Sequence, residues 1–232
     1  MKRSKKIVAA LIALTAGGFL AISSTSVLAS QPKTDMVDLS AWQGAISNLG
    51  YQNMKNSGVK AITIKATEGT FYKNPLLGQQ TDTAVQSGMS INFYHFANFT
   101  TKAQAKKEAK YFVKAVESVT NQKNVVMVID FEASKLAKLP IATNNRNVKA
   151  FNKVVKAAGY SKTDLYTNAN WVDSYISMTS KNKGWLASYP TNPTGVRYAA
   201  ANAWQWSSSY KFGGKTSSLD VSQMNNDYYL NS

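Results

Sequence analysis

Short strand-like runs that alternate with helical patterns constrain this chain more than any other feature of it. Apolar or β-branched runs recur at 36–39, 61–66, 90–96, 125–131, 165–167, 185–188, 203–206 and 219–221. Between several of them lie helical patterns. The segment 102–119 is rich in Ala, Lys and Glu, with Ala105, Ala109, Phe112, Val113 and Val116 spaced for one buried face. The segment 147–158 repeats that spacing with Val148, Phe151, Val154 and Val155, then stops at Gly159, a good helix-terminating residue. A further helix is predicted over 75–87, ended by Gly88. Strands alternating with helices imply parallel βα units. The later connections look shorter and need not all contain helices. Eight strands in about 195 residues predict a compact, incomplete version of a (β/α)8 barrel, with functional residues at the C-terminal ends of the strands.

One such end stands out. In NVVMVIDFEAS, residues 124–134, a nearly continuous apolar run ends in two acids flanking a phenylalanine. The run reads as a strand buried on both faces. Side chains alternate along a strand, so Asp130 and Glu132 are predicted on the same side, their Cα atoms about 6.6 Å apart. Like charges that close resist joint ionisation. A solvated strand end and a functional pair both fit the motif taken alone.

The N-terminus is predicted to lie outside the fold. MKRSKK is basic, residues 7–22 are apolar, and Val27-Leu28-Ala29 places small residues at a cleavage site, so 1–29 reads as a secretory signal peptide. A short segment 30–35 then leads into one domain over 36–232. The chain has no cysteine, so it exports no disulfide framework, and its 44% hydrophobic content must supply the core. Lys2, Arg3, Lys5 and Lys6 account for four of the net +15 charges, which leaves +11 on the mature chain. Such an excess favours polyanionic partners, here anionic cell-wall polymers or membrane surfaces. No zinc spacing, basic helix or aromatic RNA-binding motif points to nucleic acid.

His95 is the only histidine, so Ser-His-Asp or Cys-His catalysis and His/Cys zinc sites have almost no residues to draw on. His95 itself, in NFYHFANF, reads as structural or substrate-contacting rather than as a general base. No glycine-rich phosphate loop is present, and no metal or cofactor is expected. Acids are scarce, twelve in all, yet Asp38, Glu68, Asp130, Glu132 and Asp220 fall at predicted strand ends. In a barrel these converge on one mouth. Carboxylate catalysis of glycoside cleavage would use them, and so would a hard cation such as calcium. The accompanying aromatic residues favour the first: Trp42, Tyr94, Phe96, Tyr166, Trp185, Tyr189, Trp204 and Trp206 offer faces for sugars, and Gln43 and Gln205 offer bonds to hydroxyls.

With these residues in order, the chain resembles glycoside hydrolase family 25, the Chalaropsis-type lysozymes or N-acetylmuramidases. DLSAWQG, ITIKATEG, FYHFAN, VIDFE, WLASYP, WQWSSS and LDVSQ carry the resemblance in sequence over residues 36–230. Asn92 departs from it, standing where the family more often has glycine. The family's wall-binding repeats are not among these residues, so positive charge is expected to substitute by attraction to teichoic-type polymers. The resemblance implies a single flattened TIM-like (β/α)5(β)3 barrel of the α/β class. It implies hydrolysis of the β-1,4 bond between N-acetylmuramic acid and N-acetylglucosamine in peptidoglycan by a secreted or wall-associated enzyme, expected as a monomer. By position, Glu132 corresponds to the general acid/base, and Asp130, Asp38 and Asp220 to the other active-site acids. Trp42, Glu68, Tyr94, Tyr166, Trp185, Tyr189, Trp204 and Gln205 are the expected substrate contacts. A wall-binding protein without activity, a chitin-directed glycosidase and a membrane-active cationic protein are the alternatives from other classes.

Overall fold

A computed structural model of the chain describes residues 30–180, 182–213 and 218–231. The signal-peptide segment 1–29 lies outside the described residues. Strands β1 (Met36–Leu39), β2 (Ala61–Glu68), β4 (Ser90–Phe96), β5 (Met127–Asp130), β6 (Thr163–Asn168), β7 (Trp185–Ala187) and β8 (Ala203–Tyr210) run parallel in that order. Strand β9 (Leu219–Met224) is antiparallel to both β8 and β1, and the β1–β2 pairing closes the sheet into an eight-stranded barrel. A two-residue strand, β3 (Tyr72–Lys73), forms a hairpin on the end of β2.

Among the described residues four α-helices pack outside the barrel: α1 (Asn48–Asn56), α2 (Leu77–Gln86), α3 (Lys102–Glu117) and α4 (Ile141–Ala157). Among the described residues after β6, a 3₁₀ turn, Ala169–Trp171, stands where a fifth helix would lie. The strands alternate between two faces. Ile62, Ile64, Phe93, Met127, Ile129, Leu165 and Val221 point outward into the layer shared with the helices, where Phe112, Val116, Phe151 and Val155 meet them. Met36, Ala61, Val126, Val128, Trp185 and Ala203 point inward and fill the barrel.

The far end of the barrel is plugged. Tyr229 is buried and donates to Asp164 Oδ2 at 2.8 Å, and Asn202 Nδ2 and the Leu165 and Gly184 amides also donate to this carboxylate. Asn92 completes the closure, accepting from Val126 N at 2.8 Å and donating to Tyr229 O at 3.0 Å. A glycine at position 92 would leave both partners without that bond, so the carboxamide staples β5 and the C-terminal segment to β4. His95 points outward on β4 and is buried between Thr67 Oγ1 (2.8 Å) and Glu108 Oε2 (2.9 Å), beside Phe112 and Phe151. Its role is structural.

Candidate active site

Register brings the acids together. Asp38, the third residue of β1, is the direct cross-strand partner of Asp220 on β9, and such pairs hold their Cβ atoms about 4.5–5.5 Å apart. On β5, Asp130 is the last strand residue and lies beside Tyr166 of β6. Glu132 follows two residues later on the loop, solvent-exposed at the rim. These four carboxyls, with Tyr94, Tyr166, Trp185 and Gln205, surround one pocket of about 80 Å³. That is too small for a sugar ring, since ligand-sized sites run to several hundred Å³. A pocket of this size admits a substituent of a sugar and not the ring itself.

The electrostatics follow from crowding. Burial, then the Asp220 charge, pushes Asp38 well above the usual carboxylate range, and the hydrogen bond from Gln205 opposes this. Asp220 is pushed up to about 6, chiefly by burial. Burial and the Glu132 charge raise Asp130 well above its ordinary value, with Lys65 pulling against them. Glu132 is raised by loss of solvent on its inner side and by Asp220, again against Lys65. Four carboxyls so placed titrate as a group, each resisting the ionisation of its neighbours. Burial lifts the Tyr94 and Tyr166 phenols far above neutrality, so both remain neutral donors.

Hydrogen bonds fix the polarity of one wall. Tyr166 Oη donates to Gln205 Oε1 at 2.7 Å, Tyr189 Oη donates to the same oxygen, and Gln205 Nε2 donates to Asp38 Oδ2 at 2.7 Å. With its carbonyl engaged by two phenols, Gln205 must present its NH₂ to Asp38, which keeps that oxygen an acceptor. Asp130 Oδ1 is buried and has no hydrogen-bond partner. Buried acceptors are rarely left so, and the residue that carries this one lines the pocket.

The family model for glycosyl hydrolases family 25 matches residues 37–215, and this span includes Asp38, Asp130 and Glu132. The chain belongs to glycosyl hydrolase family 25. It is 26% identical over 202 residues to lysozyme M1 of Streptomyces globisporus, covering 82% of this chain and 67% of that one. It is 27% identical over 217 residues to an N,O-diacetylmuramidase of Arthroderma benhamiae, covering 88% and 89%. A family 25 glycosyl hydrolase structure from Bacillus anthracis superposes with a TM-score of 0.67 at 22% identity, covering 82% and 87%, and shares the fold.

Within this family 25 glycosidase the expected substrate contacts divide. Tyr94, Tyr166 and Gln205 line the pocket. Trp42 stands on a 3₁₀ turn after β1 with 95% of its surface exposed, and Tyr189 is about half exposed at the opposite rim. The Trp42 loop is rigid despite that exposure. Ser40 caps the turn, and Gln80 Nε2 of α2 donates to Ser40 O and Gly44 O. Trp185 reaches the pocket only as its floor, 2% exposed, bonded to Ser222 Oγ and edge-on to Tyr166 at 4.7 Å between centroids. It supports the wall and offers no open face.

Trp204 does not belong with the substrate contacts. It precedes Gln205 on β8, so strand alternation turns it outward into the helix-side core, fully buried, with Nε1 bonded to Ser188 O at 2.9 Å. Trp206 shares that outward face. Glu68 stands on the flank rather than in the pocket, paired with Lys65 Nζ at 2.8 Å and accepting from Asn98 at 3.4 Å.

Lys65 is the residue sequence reasoning missed. It projects beside the Tyr72 and Phe96 rings, 5.4 and 5.0 Å from their centroids, and its charge opposes the rise in both Asp130 and Glu132. The signal was present in AITIKATE: Lys65 shares the inward face of Ala61 and Thr63, and a lysine on the inner face of a barrel strand needs an anion.

Proposed function

We propose that this enzyme hydrolyses the β-1,4 bond between N-acetylmuramic acid and N-acetylglucosamine in peptidoglycan, with Glu132 as general acid and then general base. The carrying observation is the pairing of a rim carboxyl, Glu132, with a buried carboxyl, Asp130, whose Oδ1 lacks a partner, both lining one pocket of the size of an N-acetyl group. An acetamido N–H donated to Asp130 would favour its ionised form and leave the shared proton on Glu132, where the leaving oxygen needs it.

In the first step the acetamido oxygen attacks C1, the C1–O bond to the leaving sugar breaks, and Glu132 protonates that oxygen. The intermediate is a cyclic oxazolinium ion, its positive charge facing Asp130. Water then attacks C1 and gives its proton to Glu132, the ring opens, and configuration is retained. This is the substrate-assisted route among glycosidases. Direct attack of water with inversion is the rival, and the anomer first released distinguishes them. Asp38 and Asp220 contribute to the negative field, and Asp38 holds the Gln205 carboxamide in place.

The relatives' names carry the same reading, as lysozyme M1 and an N,O-diacetylmuramidase. Secretion through a leader ending at Ala29 would deliver the mature chain to its substrate. A monomer suffices, because one barrel supplies all four acids. The mature chain's +11 charge draws it to anionic wall polymers. Glu132→Gln is the direct test: reducing ends released from purified peptidoglycan should fall at least about a thousandfold while sedimentation with the wall persists. Near-normal release would overturn the assignment.

A further inference from the structure

A cavity larger than the acid pocket lies away from it. It is a groove of about 790 Å³ on the outside of the barrel, between α4 and residues that follow β6, Ile176–Ser180 and Asn182. This is the flank that a fifth helix would have covered. Val148 and Ile176 form its floor, and Lys149, Lys153 and Lys156 line one wall.

The lysines are exposed and stand four and three residues apart on one helix, rising about 6 and 4.5 Å from one to the next. Over Ile141–Ala157 there is no acid at all, and none lines the groove. Among the described residues none of the three lysines is within salt-bridge distance of a carboxylate. The sequence disperses its lysines along the chain, and the fold concentrates these three. Two carboxamide oxygens of residues lining the same groove, Asn152 Oδ1 and Asn182 Oδ1, are buried without a hydrogen-bond partner among the described residues.

We infer that this groove binds a polyol-phosphate chain of the cell wall, with lysines taking successive phosphodiester anions and the two asparagines taking hydroxyls between them. This rests on the wall setting of the proposed function. A row of ammonium groups suits phosphates as point charges. The unpartnered carboxamide oxygens suit hydroxyl donors, which a polyol supplies and a simple polyanion does not. The groove has no aromatic lining for stacked bases and presents no large exposed apolar side chain for insertion into lipid. Because it opens on the outer flank, a polymer held there leaves the catalytic cleft free and raises the local concentration of glycan.

The test titrates the full mature protein with a soluble glycerol-phosphate oligomer and, separately, with inorganic polyphosphate of matched charge. Replacing Lys149, Lys153 and Lys156 by Gln should weaken oligomer binding at least tenfold. Replacing Lys106, Lys110 and Lys114 of α3 removes the same charge elsewhere and should cost threefold or less. Asn152→Ala should weaken the glycerol-phosphate complex and leave the polyphosphate complex unchanged. Equal losses from the two lysine triples would overturn the site in favour of diffuse charge, and equal losses from Asn152→Ala on both probes would overturn the hydroxyl contact. Stronger binding of wild type to anionic vesicles or to oligonucleotide than to the oligomer would also overturn it. Hydrolysis of peptidoglycan stripped of anionic polymer should be unchanged in every variant, so failure of the groove and failure of the muramidase reading are read separately.

Discussion

Glu132 works only if it holds a proton at the pH of the reaction, and burial and two charged neighbours decide that. Loss of solvent and the Asp220 charge raise it, and Lys65 lowers it. The alkaline limb of kcat/KM against pH reports the loss of that proton in the free enzyme. Asp220→Asn removes an anion, so the limb should move to lower pH. Lys65→Met removes a cation, so the limb should move to higher pH. A pH–rate profile of both variants beside wild type checks the two signs together. Shifts in the same direction would contradict the field described for the cluster.

At the scale of elements, β8 shows how one residue of alternation separates function from packing. Gln205 and Trp204 are neighbours, yet Gln205 points to Asp38 and Trp204 packs in the outer core. Trp204→Phe should therefore cost about 1–3 kcal/mol in denaturant unfolding, from a small cavity and a lost bond to Ser188 O, with kcat/KM unchanged. Trp42→Ala should leave stability unchanged and lower kcat/KM about tenfold, as loss of a stacking face costs on the order of 1–3 kcal/mol.

The strands were legible in the sequence because their apolar runs are short and bounded, and all eight are present within a few residues of the expected limits. The acids were legible because they sit at strand ends in a chain poor in acids. Helix α1 was not: Asn48–Asn56 is short, polar and contains Gly50, and only Tyr51 and Met54 are buried. The first six residues of α4 were missed for a related reason. Asn144 is buried there by bonds to Leu136 O and Tyr175 O, a polar anchor that no apolar periodicity marks. Whether the two tryptophans or Gln205 between them face the pocket depends on β8 register, and WQWSSS alone does not specify it.

The whole molecule carries its active site at a cost in stability. Asp38, Asp130, Glu132 and Asp220 bind protons more tightly folded than unfolded. Their contribution is therefore fully present below the ordinary carboxyl range and is lost as pH rises through the raised folded values. His95 acts in the opposite direction. Burial lowers its folded pKa, so the unfolded chain takes up the proton first and stability falls as pH drops below about 6.5. Asp130→Asn should accordingly raise Tm at pH 7 and lose that advantage near pH 4, as checked by calorimetry at both values. A Tm gain of the same size at both would mean that packing, not charge, is responsible.

The measurement that bears most directly on the function is mass spectrometry of the soluble fragments released when the mature protein digests purified peptidoglycan. An acid pocket built to receive the N-acetyl group of muramic acid beside Glu132 predicts fragments with N-acetylmuramic acid at the reducing end. Fragments ending in reducing N-acetylglucosamine, or no fragments from a wall to which the protein still binds, would contradict it.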